Sequence, residues 1–133
     1  MALLAPKVGA EQLSKVLVNN ASPTNVKLHL YTNNHTPAEG DVLGSYTEST
    51  AAGYAAAVLT GASWTITAGS SAGAVASYPQ VTFTYTAAET VYGYYVTDNS
   101  SLILLWAELF TGGPFVVPSA GGTIQVTPGF TLQ

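Results

Sequence analysis

The stretch PQVTFTYT, residues 79–86, places Val81, Phe83 and Tyr85 on one parity and Thr82, Thr84 and Thr86 on the other. Successive side chains of an extended chain point to opposite faces, so this pattern fits a strand with one face in a core and one in water. The same period governs most of the chain from residue 26 onward. VKLHLYT (26–32) sets Val26, Leu28 and Leu30 against Lys27, His29 and Tyr31, which predicts a strand with one apolar and one more polar face. Further strands are expected at 44–50, at 53–60, at 63–67 with Trp64 and Ile66 on one face, and at 91–97, 102–108, 115–117, 122–126 and 129–133. Between them lie the turn-rich segments NNHTPAEGD, AGSSAGA, DNSS, TGGP and PSAGG, of which DNSS is expected to close a hairpin between two central strands.

About eight to ten short strands at near-regular spacing predict an all-β fold, a single-domain antiparallel β-sandwich or jelly roll. One helix is expected, at Ala10–Val18, where Leu13, Val16 and Leu17 fall on one face. It follows the apolar arm ALLAP. The chain accordingly divides into an N-terminal arm and short helix over 1–22 and a β-sandwich domain over 23–133.

Charge decides which partners such a fold can take. Only 8% of the 133 residues are charged, against about 25% in an average soluble domain. The three cations are all lysine, there is no arginine, and the net charge is -4. Phosphate neutralisation supplies most nucleic-acid affinity, so binding to DNA or RNA is not expected. Area scaling for 13.7 kDa gives roughly 6,600 Å² of folded surface, over which ten charges leave large neutral patches. Such patches predict that neighbouring subunits cover much of the domain.

Without cysteine there are no disulfides or thiolate metal sites, and an intracellular origin is expected. The apolar run LILLWA (102–107) is six residues long, whereas a membrane helix needs about twenty. It reads as a strand buried on both faces, with no membrane partner. MALLAPKVGAEQ lacks the pattern of a signal peptide, so the sequons at Asn20, Asn34 and Asn99 are expected to carry no glycan.

The chemistry-bearing residues are sparse. His29 and His35 lack a ligand spacing and are expected to face solvent or an interface. Glu39 and Asp41 flank Gly40 in what reads as a charged loop tip, with too few oxygens for calcium. Glu48, Glu89 and Glu108 are the strand-associated acids from which a glycosidase pair would have to come, and nothing in the sequence places two of them together. TGGP and SAGG lack the lysine and helix of a phosphate loop. No catalytic residue, metal or cofactor is expected, and the chain does not read as an enzyme. Tyr31, Tyr92, Tyr94, Tyr95 and Trp106 are candidates for a sugar-stacking platform, but packing is the expectation, with Tyr92 and Tyr94 on one strand face and Tyr95 on the other.

Taken together, NVKLHLYTNNHTPAEGD, SYTESTAAGYAA, SWTIT, VYGYYVT, LLWAELF, GGPFVV and GTIQVTPGFTL resemble a group of small structural proteins of tailed bacteriophages, over about Val8 to Leu132. Capsid decoration, or cement, proteins are the subgroup they are most similar to; tail or head-fibre components, with possible host-glycan binding, are the alternative. The resemblance implies a homotrimer bound to the phage major capsid protein on the capsid exterior of the virion, made in the bacterial host cytoplasm. It brings no catalytic residues. The arm and helix, through Ala2, Leu3, Leu4, Pro6, Leu13 and Leu17, are the expected interface.

Overall fold

A computed structural model describes residues 4–68 and 73–132. Ala2 and Leu3, and most of the loop AGSSAGA, lie outside the described residues. The described chain is one helix, α1 (Lys7–Leu17), followed by strands β1 (Val26–Tyr31), β2 (Ala57–Leu59), β3 (Thr65–Ala68), β4 (Ala74–Ser77), β5 (Val81–Tyr85), β6 (Glu89–Val91), β7 (Gly93–Asp98), β8 (Leu104–Leu109), β9 (Phe115–Val117), β10 (Gly122–Val126) and β11 (Gly129–Leu132). All pairings are antiparallel: a four-stranded sheet in the order β2-β1-β7-β8, a three-stranded sheet β11-β4-β3, and the pairs β10-β5 and β6-β9. The protein is therefore all-β apart from one short helix. No described helix is long and apolar enough to cross a membrane.

The alternation read from the sequence holds residue by residue in β5, where Phe83 and Tyr85 are buried while Thr82 and Thr84 are exposed. Both parities of the central strands are buried. Leu28, Leu30, Tyr94 and Val96 face a main core shared with Phe83, Tyr85, Val91, Val117, Ile124 and Val126, while Tyr31, Tyr95, Leu104 and Ala107 face a second cluster with Tyr46. The supposedly polar side of β1 is thus covered by the segment after it.

A bulge explains the LILLWA run. Val96 pairs with Trp106 and Thr97 with Leu104, which leaves Leu105 as an extra residue in β8. Leu105 and Trp106 consequently both face the main core, while Leu104 and Ala107 face the second cluster. The strand begins at Leu104 rather than at 102, because the Asp98 carboxylate accepts the amides of Leu102 (2.9 Å) and Ile103 (2.7 Å) and draws both into the hairpin turn.

Against this bulge lies α1. It starts at Lys7, three residues before the expected Ala10, because Pro6 at the N-cap has a φ of -63° suited to a helix start and is itself buried. A Cβ on Gly9 would stand 2.0 Å from the Leu105 carbonyl oxygen, so the contact between helix and sheet requires glycine there. Leu4 exchanges backbone bonds with Ala107 (3.0 and 2.9 Å), so the arm caps the otherwise open edge of β8.

Several expectations are corrected. Tyr92 lies in a break between β6, which pairs with β9, and β7, which pairs with β1; parity resets there, and Tyr92 packs beside Tyr95's cluster rather than with Tyr94. Trp64 precedes β3 and packs on the core, whereas Ile66 within it is 66% exposed. GSYTEST is not a strand: Leu43–Ser45 is a 3-10 turn, and only Glu48 bridges to Tyr31. Ala74–Ser77, expected as loop and its flank, is β4.

Candidate functional site

His29 is a buried imidazole held in a polar network. The register sets it opposite Tyr95, and the two rings stack at 4.7 Å with their planes 5° apart. On one side its Nδ1 lies 2.8 Å from Glu48 Oε1; on the other its Nε2 lies 3.0 Å from Thr97 Oγ1. Glu48 Oε1 also accepts the Tyr54 hydroxyl at 3.0 Å, and that hydroxyl in turn accepts the Leu30 amide at 3.1 Å.

The last bond follows from topology. Pairing with β2 covers β1 only from Val26 to Leu28, so the Leu30 amide has lost its strand partner and a phenol from the following loop replaces it. Burial raises the Tyr54 phenol far above its ordinary value, and the nearby Glu48 adds to this against the opposing pull of the Leu30 amide bond, so the phenol remains a donor to Glu48.

Carboxylate, imidazole and hydroxyl in this order are the parts of a nucleophilic triad. Their surroundings differ from those of a reactive one. Thr97 is fully buried, its hydroxyl donates to the Asp98 carbonyl at 2.9 Å, and Tyr95 covers the ring, so no substrate carbonyl reaches Oγ1 in this arrangement. The network instead ties β1, β7 and the 47–54 segment together. His29, expected to face solvent or an interface, is 3% exposed.

A second cluster holds the loop after β1. Asp41 Oδ2 accepts the Tyr46 hydroxyl (2.6 Å) and the Ala38 amide (2.8 Å), and lies 2.8 Å from His35 Nε2. Burial raises the carboxyl, and these hydrogen bonds outweigh it, so its pKa lies below the ordinary value. Asp41 is therefore a buried loop anchor rather than an exposed tip, and of the pair only Glu39 stands in solvent.

The remaining strand-associated acids are also bound to tyrosines. Tyr94 donates to Glu108 at 2.7 Å, and Tyr85 donates to Ser49 (3.1 Å), which donates to Glu89 (3.1 Å). Glu48, Glu89 and Glu108 thus each have a separate phenol at the end of their chain of bonds, a pattern in which the structure pairs none of them with another. Among the described residues no group of three or more His, Asp or Glu side chains could hold a metal ion. Of the aromatic platform candidates, Tyr31, Tyr94, Tyr95 and Trp106 are all at most 5% exposed.

The expected interface residues separate. Leu4 and Pro6 are taken up by the chain's own β8 edge and helix start, Leu13 is half-buried, and Leu17 is 86% exposed. Beside Leu17 runs an apolar groove of about 450 Å³, lined by Ala5, Ala10, Leu13, Val16, Leu17 and Phe130 with Ser14 as its polar member. Sequence periodicity identified the helix side of this groove. Phe130, which closes it, is supplied from the far end of the chain and carries no local signal.

Comparison with protein-family profiles, with curated proteins and with solved structures gives no match in any of the three.

Proposed function

We propose that the chain is a structural virion protein of a tailed bacteriophage, a capsid decoration protein that binds the shell as a homotrimer and stabilises it. Two packed antiparallel layers, a β-sandwich of the jelly-roll kind, are the architecture that goes with this reading. The observation that carries it is where polarity has been spent. Five of the seven acids are bound by tyrosine or serine hydroxyls of the fold, while Leu17, Val18, Val42, Val58, Ile66, Leu102, Phe115 and Val116 stand 45–86% exposed. A surface of that kind gains from being covered by shape-matched neighbours and has few ions to desolvate when it is. A sugar-binding fibre module is less well supported, since the aromatic residues that would stack on a glycan pack inside.

The test is cosedimentation of the purified chain with phage shells from which it has been stripped. Saturable binding to shells supports the reading; recovery of the whole chain in the supernatant at every ratio overturns it.

A further inference from the structure

We propose that the groove beside α1 is a homotypic contact, occupied by the Leu17–Val18 end of α1 from a second copy of this chain. The inference names the subunit contact of the proposed assembly and rests on that reading for its context, though the contact itself requires no shell. Two features on one side of the molecule carry it, one of shape and one of charge.

Shape comes first. The groove is concave, about 450 Å³, and almost wholly apolar, and its lip is formed by Leu17, which is 86% exposed, with Val18 next to it at 72%. A knob beside a hole of matching chemistry lets each copy give to one neighbour and receive from the next, the head-to-tail contact from which a closed trimeric ring is built. The helix end is free to serve as the knob. Asn19 (φ 58°) turns the chain away after Val18, and the Asn20 amide closes on the Lys15 carbonyl at 2.7 Å.

Charge selects the occupant. The four charges on and against the helix pair within the chain, Lys15 with Glu11 at 2.6 Å and Lys7 with Glu39 at 4.0 Å, so they cancel. The whole net charge of -4 therefore resides on Lys27 and the five other acids. Two copies meeting through α1 bring together neutral surface, whereas contacts made through the acid-bearing residues add repulsion. A partner of strong charge finds nothing unpaired on the helix to recognise. A small apolar ligand is the other occupant that such a volume admits, and the same test distinguishes it.

Sedimentation velocity of the full chain across a concentration series reads the contact directly. The wild type is expected to self-associate, with association unchanged or strengthened in high salt as the net charge is screened. L17D and V18D are expected to weaken association at least tenfold with unaltered thermal unfolding, while V116D, an exposed control outside the groove, leaves it unchanged. A monomeric wild type at every concentration and salt overturns the proposal, including the case in which a small apolar ligand fills the groove. So does association that survives both helix substitutions or falls equally in V116D. Shell binding that persists in a monomeric L17D variant would leave the decoration role standing while separating it from this contact.

Discussion

Replacing Tyr54 by phenylalanine removes one oxygen from the centre of the His29 network and little else. The ring stays, so its stacking on Phe83 and Tyr85, at centroid distances of 5.8 and 5.9 Å, is kept. Two bonds go. The Leu30 amide, on a residue that is 0% exposed and beyond the reach of β2, loses its acceptor. An orphaned buried amide costs about 1–3 kcal/mol. Glu48 loses the Tyr54 donor but has a side chain 40% exposed, so water replaces much of that bond and its loss adds only about 0.5–1 kcal/mol. The sum is roughly 2–4 kcal/mol, and for a domain between the two size classes at about 3–5 °C per kcal/mol it lowers Tm by about 6–20 °C. Calorimetry of Y54F beside wild type measures it. A Tm within about 2 °C of wild type would refute the reasoning that a phenol stands in for a missing strand.

Glycine to alanine inside a helix ordinarily stabilises by roughly 0.5–1 kcal/mol, but G9A is expected to destabilise, because the new methyl meets the Leu105 carbonyl; a raised Tm in the same calorimetric scan would mean that α1 does not rest on the bulge. Asp41 has a depressed folded-state pKa, so its contribution is present above the unfolded value of about 3.9 and is lost as pH falls through the lower folded value. Urea midpoints of wild type and D41N should therefore differ near neutral pH and converge in acid below about pH 4, and a gap independent of pH would contradict this. Asp98 follows the same rule: burial raises its carboxyl, and the Ser100 hydroxyl with the amides of Ile103, Leu102 and Ser100 more than compensates. D98A should loosen the β7–β8 hairpin turn, read as faster hydrogen exchange at Leu102 and Ile103, whose amides it accepts. Unchanged exchange there would remove Asp98 from that role.

What could be read from the sequence was whatever a strand writes into its own residues. The Val81, Phe83 and Tyr85 parity survives intact because β5 pairs with β10 without interruption. Parity fails where pairing changes partner, at Tyr92, and where a bulge inserts a residue, at Leu105, since neither event leaves a mark in the local pattern. The His29 network was out of reach for a related reason: its hydroxyl is contributed 68 residues away and its carboxylate 19 residues away. The polar parity of β1 gave the right strand and the wrong exposure, because the segment carrying Tyr46 and Glu48 folds back over it. On α1, periodicity placed Leu13 and Leu17 on one side, and only the three-dimensional arrangement shows the arm's Leu4 and Pro6 turned to the chain's own sheet.

The proposed role turns on whether this charge-poor surface is covered by a repeating lattice. Quantitative mass spectrometry of purified phage particles, calibrated against the major shell subunit, counts the copies of the chain per virion. A decoration protein predicts hundreds of copies in a fixed ratio to that subunit. A handful would move the chain to the tail, and its absence from particles that otherwise assemble and package normally would contradict the account outright.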